Sequence, residues 1–257
     1  MLFGVPLNDN KKLETVVKRA EEDKELETYI KASNIMAIDR LGYSDHGPTH
    51  IKIVTNIALR LLRMLAEAGV KPSAVEDYDL KEEDSEVIVF LASAMHDIGH
   101  AVHREHHEDF SIPLALPILE RILEEIYTIE EKTIIKSETL HAIIAHQRGI
   151  QPLTLEAGII RVSDALDMKK GRARIPFQAG EVNIHSVSAL AVEDVKIKKG
   201  KEKPIVVEIT LSNSSGIFQI DEMLKKKMEG TELKKYMSIK VRIEGENEKK
   251  IVTDFEL

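Results

Sequence analysis

The sequence predicts a mainly α protein, a helical bundle of about 170 residues followed by a small α+β domain. Three observations carry this. Apolar residues recur at helical spacing through residue 168. The character changes near Gly171–Gly180, beyond which short strand-like runs take over. At about 100–200 residues per domain, 257 residues suit one large domain with an appendage. The expected division is 1–175 and 176–257, the second unit serving as cap, dimerisation surface or effector site.

Residues 9–34 are highly charged, with Leu13, Val16, Val17, Ala20, Leu26, Tyr29 and Ile30 on one stripe, as in a surface helix. From Thr49 to Ala68 the stripe Ile53, Ile57, Leu61, Leu62, Leu65 predicts a strong helix stopped by Gly69 and Pro72. Residues 73–84 read as an acidic connection. A helix follows over about 85–97, with Gly99 as its stop, and 100–111 is poor in apolar residues and rich in His. Further helices are expected over 114–127, 130–147 and 154–168, with Thr128/Glu131 and Thr154 as capping signals. Strands are then expected near 187–198, 204–212, 236–244 and 249–255, with a helix at about 216–229. Lys196–Lys203 is expected to be a hairpin tip.

With 43% hydrophobic and 31% charged residues, the chain has a globular composition. The run Val87–Met95 falls far short of the roughly 20 residues that span a bilayer. The N-terminus shows no apolar core followed by a small-residue cleavage site, so a cytoplasmic protein is expected. A net charge of −8 argues against broad nucleic-acid coating. The Lys and Glu content, with four Gln and no Cys, hints at a thermophilic source. Neither a P-loop nor a dinucleotide glycine fingerprint is present.

No cysteine also means no disulfide, no thiolate ligand and no cysteine nucleophile. Ten histidines remain, seven of them between His96 and His146, so transition-metal chemistry must use imidazole and carboxylate. His96-Asp97 closes the apolar run VIVFLASAM, and at a helix end both side chains can reach one ion. Alone, such a pair is more often a helix terminus than a ligand pair. His50 starts a helix after Gly47-Pro48, and Asp164 interrupts an apolar face, where a carboxylate is costly to bury without a partner. His107 and His146 flank apolar helices. Together these residues read as a metal centre inside a bundle.

His50, His96-Asp97 and Asp164, in the phrases LASAMHDIGH and LEAGIIRVSDALDM, resemble the His…His-Asp…Asp signature of HD-superfamily metal-dependent phosphohydrolases. The resemblance covers about residues 43–175. GRARIPFQAG, NIHSVSALAV and SNSSGIFQID are similar to an uncharacterised prokaryotic HD subgroup. It implies an HD-type helical bundle in which His50, His96, Asp97 and Asp164 bind a first ion. Asp97 would bridge to a second ion held by His107 and His146. This chain has His146-Gln147 where some relatives have a His pair, and His100 where many have a phosphate-contacting lysine.

The remaining candidates are weaker. His103, His106, His141 and His46 read mainly as loop or supporting residues, His185 as structural, and Asp167 as a salt-bridge or helix-end residue. Arg104 and Arg148 follow ligand segments and could grip phosphate oxygens, although ordinary surface charge is as good a reading. Lys169, Lys170, Arg172 and Arg174 form a basic rim. Ser214-Ser215-Gly216 reads as a helix cap.

The implied activity is hydrolysis of a phosphomonoester or phosphodiester, of a nucleotide or similar small molecule, by metal-activated water. Asp97, Arg104 and Arg148 would be the catalytic residues. Histidine-rich ligation favours one or two ions of Mn, Fe, Co, Ni or Zn over Mg. Two alternatives stand beside it: a nucleotide- or metal-binding regulatory module with little turnover, and an RNA or cyclic-dinucleotide phosphodiesterase. No membrane partner is expected, and an exposed strand edge leaves homo-oligomers open.

Overall fold

The most apolar segment becomes the centre of the bundle. In the computed structural model, which describes residues 2–171, 184–244 and 254–256, every side chain from Val87 to Met95 is buried. They lie on helix α5 (Glu82–Met95), whose last nine residues are too apolar for any face to meet water. Around it pack α1 (Lys11–Glu22), α3 (Pro48–Glu67), α7 (Ile129–Ala145) and α8 (Leu155–Leu166). Between them come α2 (Lys24–Asn34), α4 (Ser73–Tyr78) and α6 (His107–Ile122). No described helix is long and apolar enough to cross a membrane.

Several expectations need correction. The charged stretch 9–34 is two helices, because Asp23 leaves helical geometry to cap α2 through Leu26 N. The acidic connection 73–84 contains α4 and the first turn of α5. Helix α6 begins at His107 rather than near 114 and runs through Pro113 and Pro117. The capping expectations agree with the structure: Thr128 and Glu131 form a reciprocal box, and the Thr154 hydroxyl accepts from Ala157 N.

Beyond α8 the chain forms α9 (Ile184–Leu190) and then a small sheet. The strands are β1 (Val192–Lys199), β2 (Ile205–Leu211), β3 (Met237–Ile243) and β4 (Asp254–Glu256), in that spatial order. The strand expected at 187–198 is therefore helix first and strand second. Of the strand expected at 249–255, residues 249–253 lie outside the described residues. Strands β1 and β2 form a hairpin whose tip spans 200–204, while β2 and β3 run parallel.

Parallel neighbours cannot be joined by a tight turn, so the chain must cross over between them. The crossover 212–236 is a short 3-10 turn (Ser214–Gly216), a π-helical stretch (Gln219–Lys225), a helical turn (Lys226–Met228) and a further turn (Leu233–Tyr236). Its buried residues Ile220, Leu224, Met228 and Leu233 face inward, and the crossover packs on α8. The α+β part thus sits against the helix that carries Asp164.

Candidate metal centre

Helix α5 ends at Met95, and the backbone then turns through the 3-10 segment Ile98–Ala101. That turn lets the neighbours His96 and Asp97 face one point. Gly99 is required by close approach: a Cβ there would collide with the His107 carbonyl and lie 2.6 Å from Ser111 N. The expected role of Gly99 as a conformational stop is replaced by this packing role. Ser111 fastens the contact, its hydroxyl accepting from Gly99 N at 2.9 Å and lying 2.8 and 2.9 Å from the carbonyls of His96 and His107. α6 is thereby clamped against the turn, which sets His107 beside Asp97.

Asp97 is the hub, with 3% of its surface exposed. Its Oδ2 lies 3.3 Å from His50 Nε2 and 3.4 Å from His96 Nε2. Its Oδ1 lies 3.3 Å from His107 Nε2, 3.7 Å from His146 Nε2 and 3.6 Å from His100 Nε2. Asp164 Oδ1 approaches His50 Nε2 at 3.5 Å. The two carboxylate oxygens therefore look toward two different sets of imidazoles, His50 and His96 on one side and His107, His146 and His100 on the other.

The protonation pattern follows from the outer partners. His96 Nδ1 meets the Ser93 carbonyl at 2.9 Å, His146 Nδ1 the Ile143 carbonyl at 2.6 Å and His107 Nδ1 the Arg104 carbonyl at 3.0 Å. A carbonyl only accepts, so each Nδ1 carries the proton and each Nε2 presents a lone pair inward. His50 Nδ1 is held likewise by Asp167 Oδ2 at 2.7 Å. As a result His50 Nε2 and His96 Nε2 face each other as two acceptors 3.3 Å apart. Asp97 Oδ2 is buried without a hydrogen-bond donor.

The buried imidazoles do not take up a second proton to relieve this crowding of acceptors. Burial pushes His96 and His146 below the ordinary imidazole value, His146 well below, against the opposing pull of Asp97. Burial likewise takes His100 down to about 3. Burial alone would raise Asp97, but the imidazoles around it, His96 and His100 foremost, hold it well below the carboxylate range. Convergent neutral nitrogens and ionised oxygens are what a divalent cation requires. The cluster fits a divalent metal site. Three ligand groups come within one ion's reach: His50/His96/Asp97, Asp97/His107/His146 and His46/Asp97/His100.

Of the expected residues, the structure thus brings together His50, His96, Asp97, His107, His146 and Asp164. Arg104 stands at the His100 side, its Nη1 3.4 Å from His100 Nε2 and 3.3 Å from His107 Nδ1, its guanidinium above the Tyr43 ring. Arg148 instead donates to the Glu222 carbonyl at 2.6 Å, tying α7's end to the crossover. His141 accepts from Leu153 N, and His103 and His106 are exposed. Of the basic rim, Lys169 pairs with Asp194 and Lys170 with Glu193. Arg172 and Arg174 lie outside the described residues. A groove of about 1470 Å³ runs from His50 and Asp167 along α3 to β1.

Asp167, read from the sequence as a salt-bridge or helix-end residue that could lie near the site, ends α8 and orients His50. One contributor escapes the sequence reading: Lys227 of the crossover pairs with Asp164 Oδ2. The signal for Lys227 is a lysine sharing the buried stripe of Ile220, Leu224 and Met228.

Comparisons with known proteins agree with this geometry. The HD domain family model matches residues 49–169. The uncharacterized protein MJ1020 of Methanocaldococcus jannaschii is 49% identical over 225 residues, covering 88% of this chain and 87% of that protein. No solved structure matches.

Proposed function

The chain belongs to the HD superfamily of metal-dependent phosphohydrolases, and on that premise we propose that it hydrolyses a phosphomonoester or phosphodiester of a nucleotide or similar small molecule. The observation that carries the proposal is the array of inward Nε2 lone pairs around Asp97, each fixed by an outward Nδ1–H contact. His50, His96, Asp97 and Asp164 would hold one ion, and Asp97, His107 and His146 a second. The separate environments of Oδ1 and Oδ2 support a bridging role for Asp97. Imidazole-rich ligation favours Mn, Fe, Co, Ni or Zn over Mg.

When bound, such ions lower the pKa of water and polarise a phosphoryl oxygen. The protein's own groups supply the rest. The Nδ1 contacts keep the imidazoles from rotating. Burial excludes bulk water and keeps His96 and His146 neutral. Arg104 offers a guanidinium to phosphate oxygens at the His100 side. The centre lies deep, with His50, His96 and Asp97 at 1%, 0% and 3% exposure, which favours a small substrate over a duplex.

The test is metal analysis joined to turnover. Protein loaded with each divalent metal in turn is screened against a phosphoester panel, with metal per chain measured in parallel. Asp97→Ala is expected to lose both metal and activity. Full activity with normal metal content in that variant overturns the proposal. Tight nucleotide binding without product would favour the regulatory-module reading.

A further inference from the structure

The crossover between β2 and β3 brings an unusual residue to the metal centre. Lysines are almost never buried unless paired, because an ammonium loses its hydration. Several other lysines of the C-terminal region keep to the surface: Lys198 pairs with Glu208, Lys199 with Glu67 and Lys226 with Glu222, each lysine about half exposed or more. Lys227 differs. Its side chain is 11% exposed, and it lies on the inward stripe with Leu224 and Met228.

Its placement is built, not incidental. Arg148 holds the preceding turn through the Glu222 carbonyl. The following turn is fixed by Thr231 Oγ1 donating to the Met228 carbonyl at 2.8 Å. Thr231 in turn packs over Gly158, where a Cβ would come within 3.4 Å of it. The crossover thus docks on α8 six residues before Asp164. The ammonium bonds Asp164 Oδ2 while Oδ1 of the same carboxylate faces His50. Asp164 is its one hydrogen-bond partner among the described residues.

We propose that Lys227 is a substrate-binding residue of the hydrolytic centre: the crossover delivers its ammonium to the Asp164 side, where it holds a non-bridging oxygen of the phosphoester. The inference rests on the phosphohydrolase reading. Arg104 stands at the His100 and His107 side, so the two cations approach the Asp97 hub from different directions. Once Asp164 shares its charge with a divalent ion, its hold on Lys227 weakens. The four-carbon stem then lets the ammonium turn to an anionic ligand. The α+β part completes the phosphate site on this view, in place of the lysine that the His100 position lacks.

Equilibrium binding of inorganic phosphate to the Mn²⁺-loaded full chain tests this without requiring turnover. Lys227→Met is expected to bind phosphate about 10- to 100-fold more weakly, with Mn²⁺ per chain unchanged, and Lys227→Arg to recover part of the loss. Phosphate affinity in Lys227→Met equal to that of the natural chain overturns the role of Lys227 and leaves the hydrolase reading standing. Loss of Mn²⁺ from both variants also overturns it, marking a purely structural pair with Asp164. No phosphate binding by the natural, Mn²⁺-loaded chain overturns both readings together.

Discussion

His50 Nδ1 lies 2.7 Å from Asp167 Oδ2, joining the first turn of α3 to the residue that ends α8. The bond fixes the His50 ring, directs its Nε2 to the centre and raises that nitrogen's basicity, the usual effect of a carboxylate behind a metal-binding imidazole. Asp167→Asn keeps the shape but removes the charge. It is expected to weaken metal binding about 10- to 100-fold, read by Mn²⁺ titration of metal-stripped protein. Unchanged affinity would show that Asp167 serves only the helix end.

Gly99 is where the ligand turn meets α6 with no room for a methyl group. In Gly99→Ala the new Cβ would strike the His107 carbonyl, and either α6 or the His96-Asp97 turn must retreat. Overpacking at so closed a contact is expected to cost about 3 kcal/mol. For a chain of this size that lowers Tm by roughly 6–12 °C, measurable by calorimetry. Because His107 rides on α6, metal per chain should fall as well. A variant with native Tm and metal content would contradict the clamp.

The bundle and the His/Asp cluster inside it were largely legible because their signals are local. Helical periodicity marks α3 and α8, an unbroken apolar run marks α5, a capping signal marks the start of α7, and the order His50, His96-Asp97, Asp164 matches a family signature. What escaped depends on distant packing. Pro113 and Pro117 argue against a helix interior, yet α6 carries both and starts at His107. Residues 187–190 are expected as the start of a strand but fold as the end of helix α9, packed against the crossover. Phe3, near the N-terminus, is fully buried edge-on against Phe90, with ring centroids 5.0 Å apart. Lys227 is 63 positions from Asp164, and their meeting follows from a parallel strand pair that no local pattern announces.

Away from the centre, Glu138 of α7 is buried, with Oε1 accepting from the Tyr78 hydroxyl at 3.2 Å and Oε2 without a partner. Burial raises its carboxyl above the ordinary value of 4.5, the Tyr78 bond opposes this, and Glu156 and Asp77 add to the rise. The native state therefore keeps a proton that the unfolded chain has already lost. Stability is full below the ordinary carboxylate value and falls as pH rises through the raised one. Glu138→Gln removes that loss. It should be more stable than the natural chain by about 1 kcal/mol at pH 7 and equal near pH 4. Tm curves at the two pH values check the sign, and a variant less stable at pH 7 contradicts it.

Arg104 and Arg148 both follow ligand segments, but their contacts divide their roles. The Arg104 guanidinium is a donor only, so His100 Nε2 accepts from it, and the His100 Nδ1 that must then carry the proton is buried without a partner. Arg104 is thus poised beside the imidazoles, its guanidinium carbon 5.7 Å from the Tyr43 ring centroid. Arg148 is bound to the Glu222 carbonyl and Met223 sulfur of the crossover. Arg104→Ala is expected to lower kcat/KM about 10- to 100-fold, as loss of a charged hydrogen bond to phosphate would, with little change in Tm. Arg148→Ala should lower Tm, and should affect turnover only as far as it loosens the segment that carries Lys227. Phosphoester kinetics and melting curves on both variants separate the two. A larger kinetic loss for Arg148→Ala at unchanged Tm would reverse the assignment and make Arg148 the residue that grips phosphate.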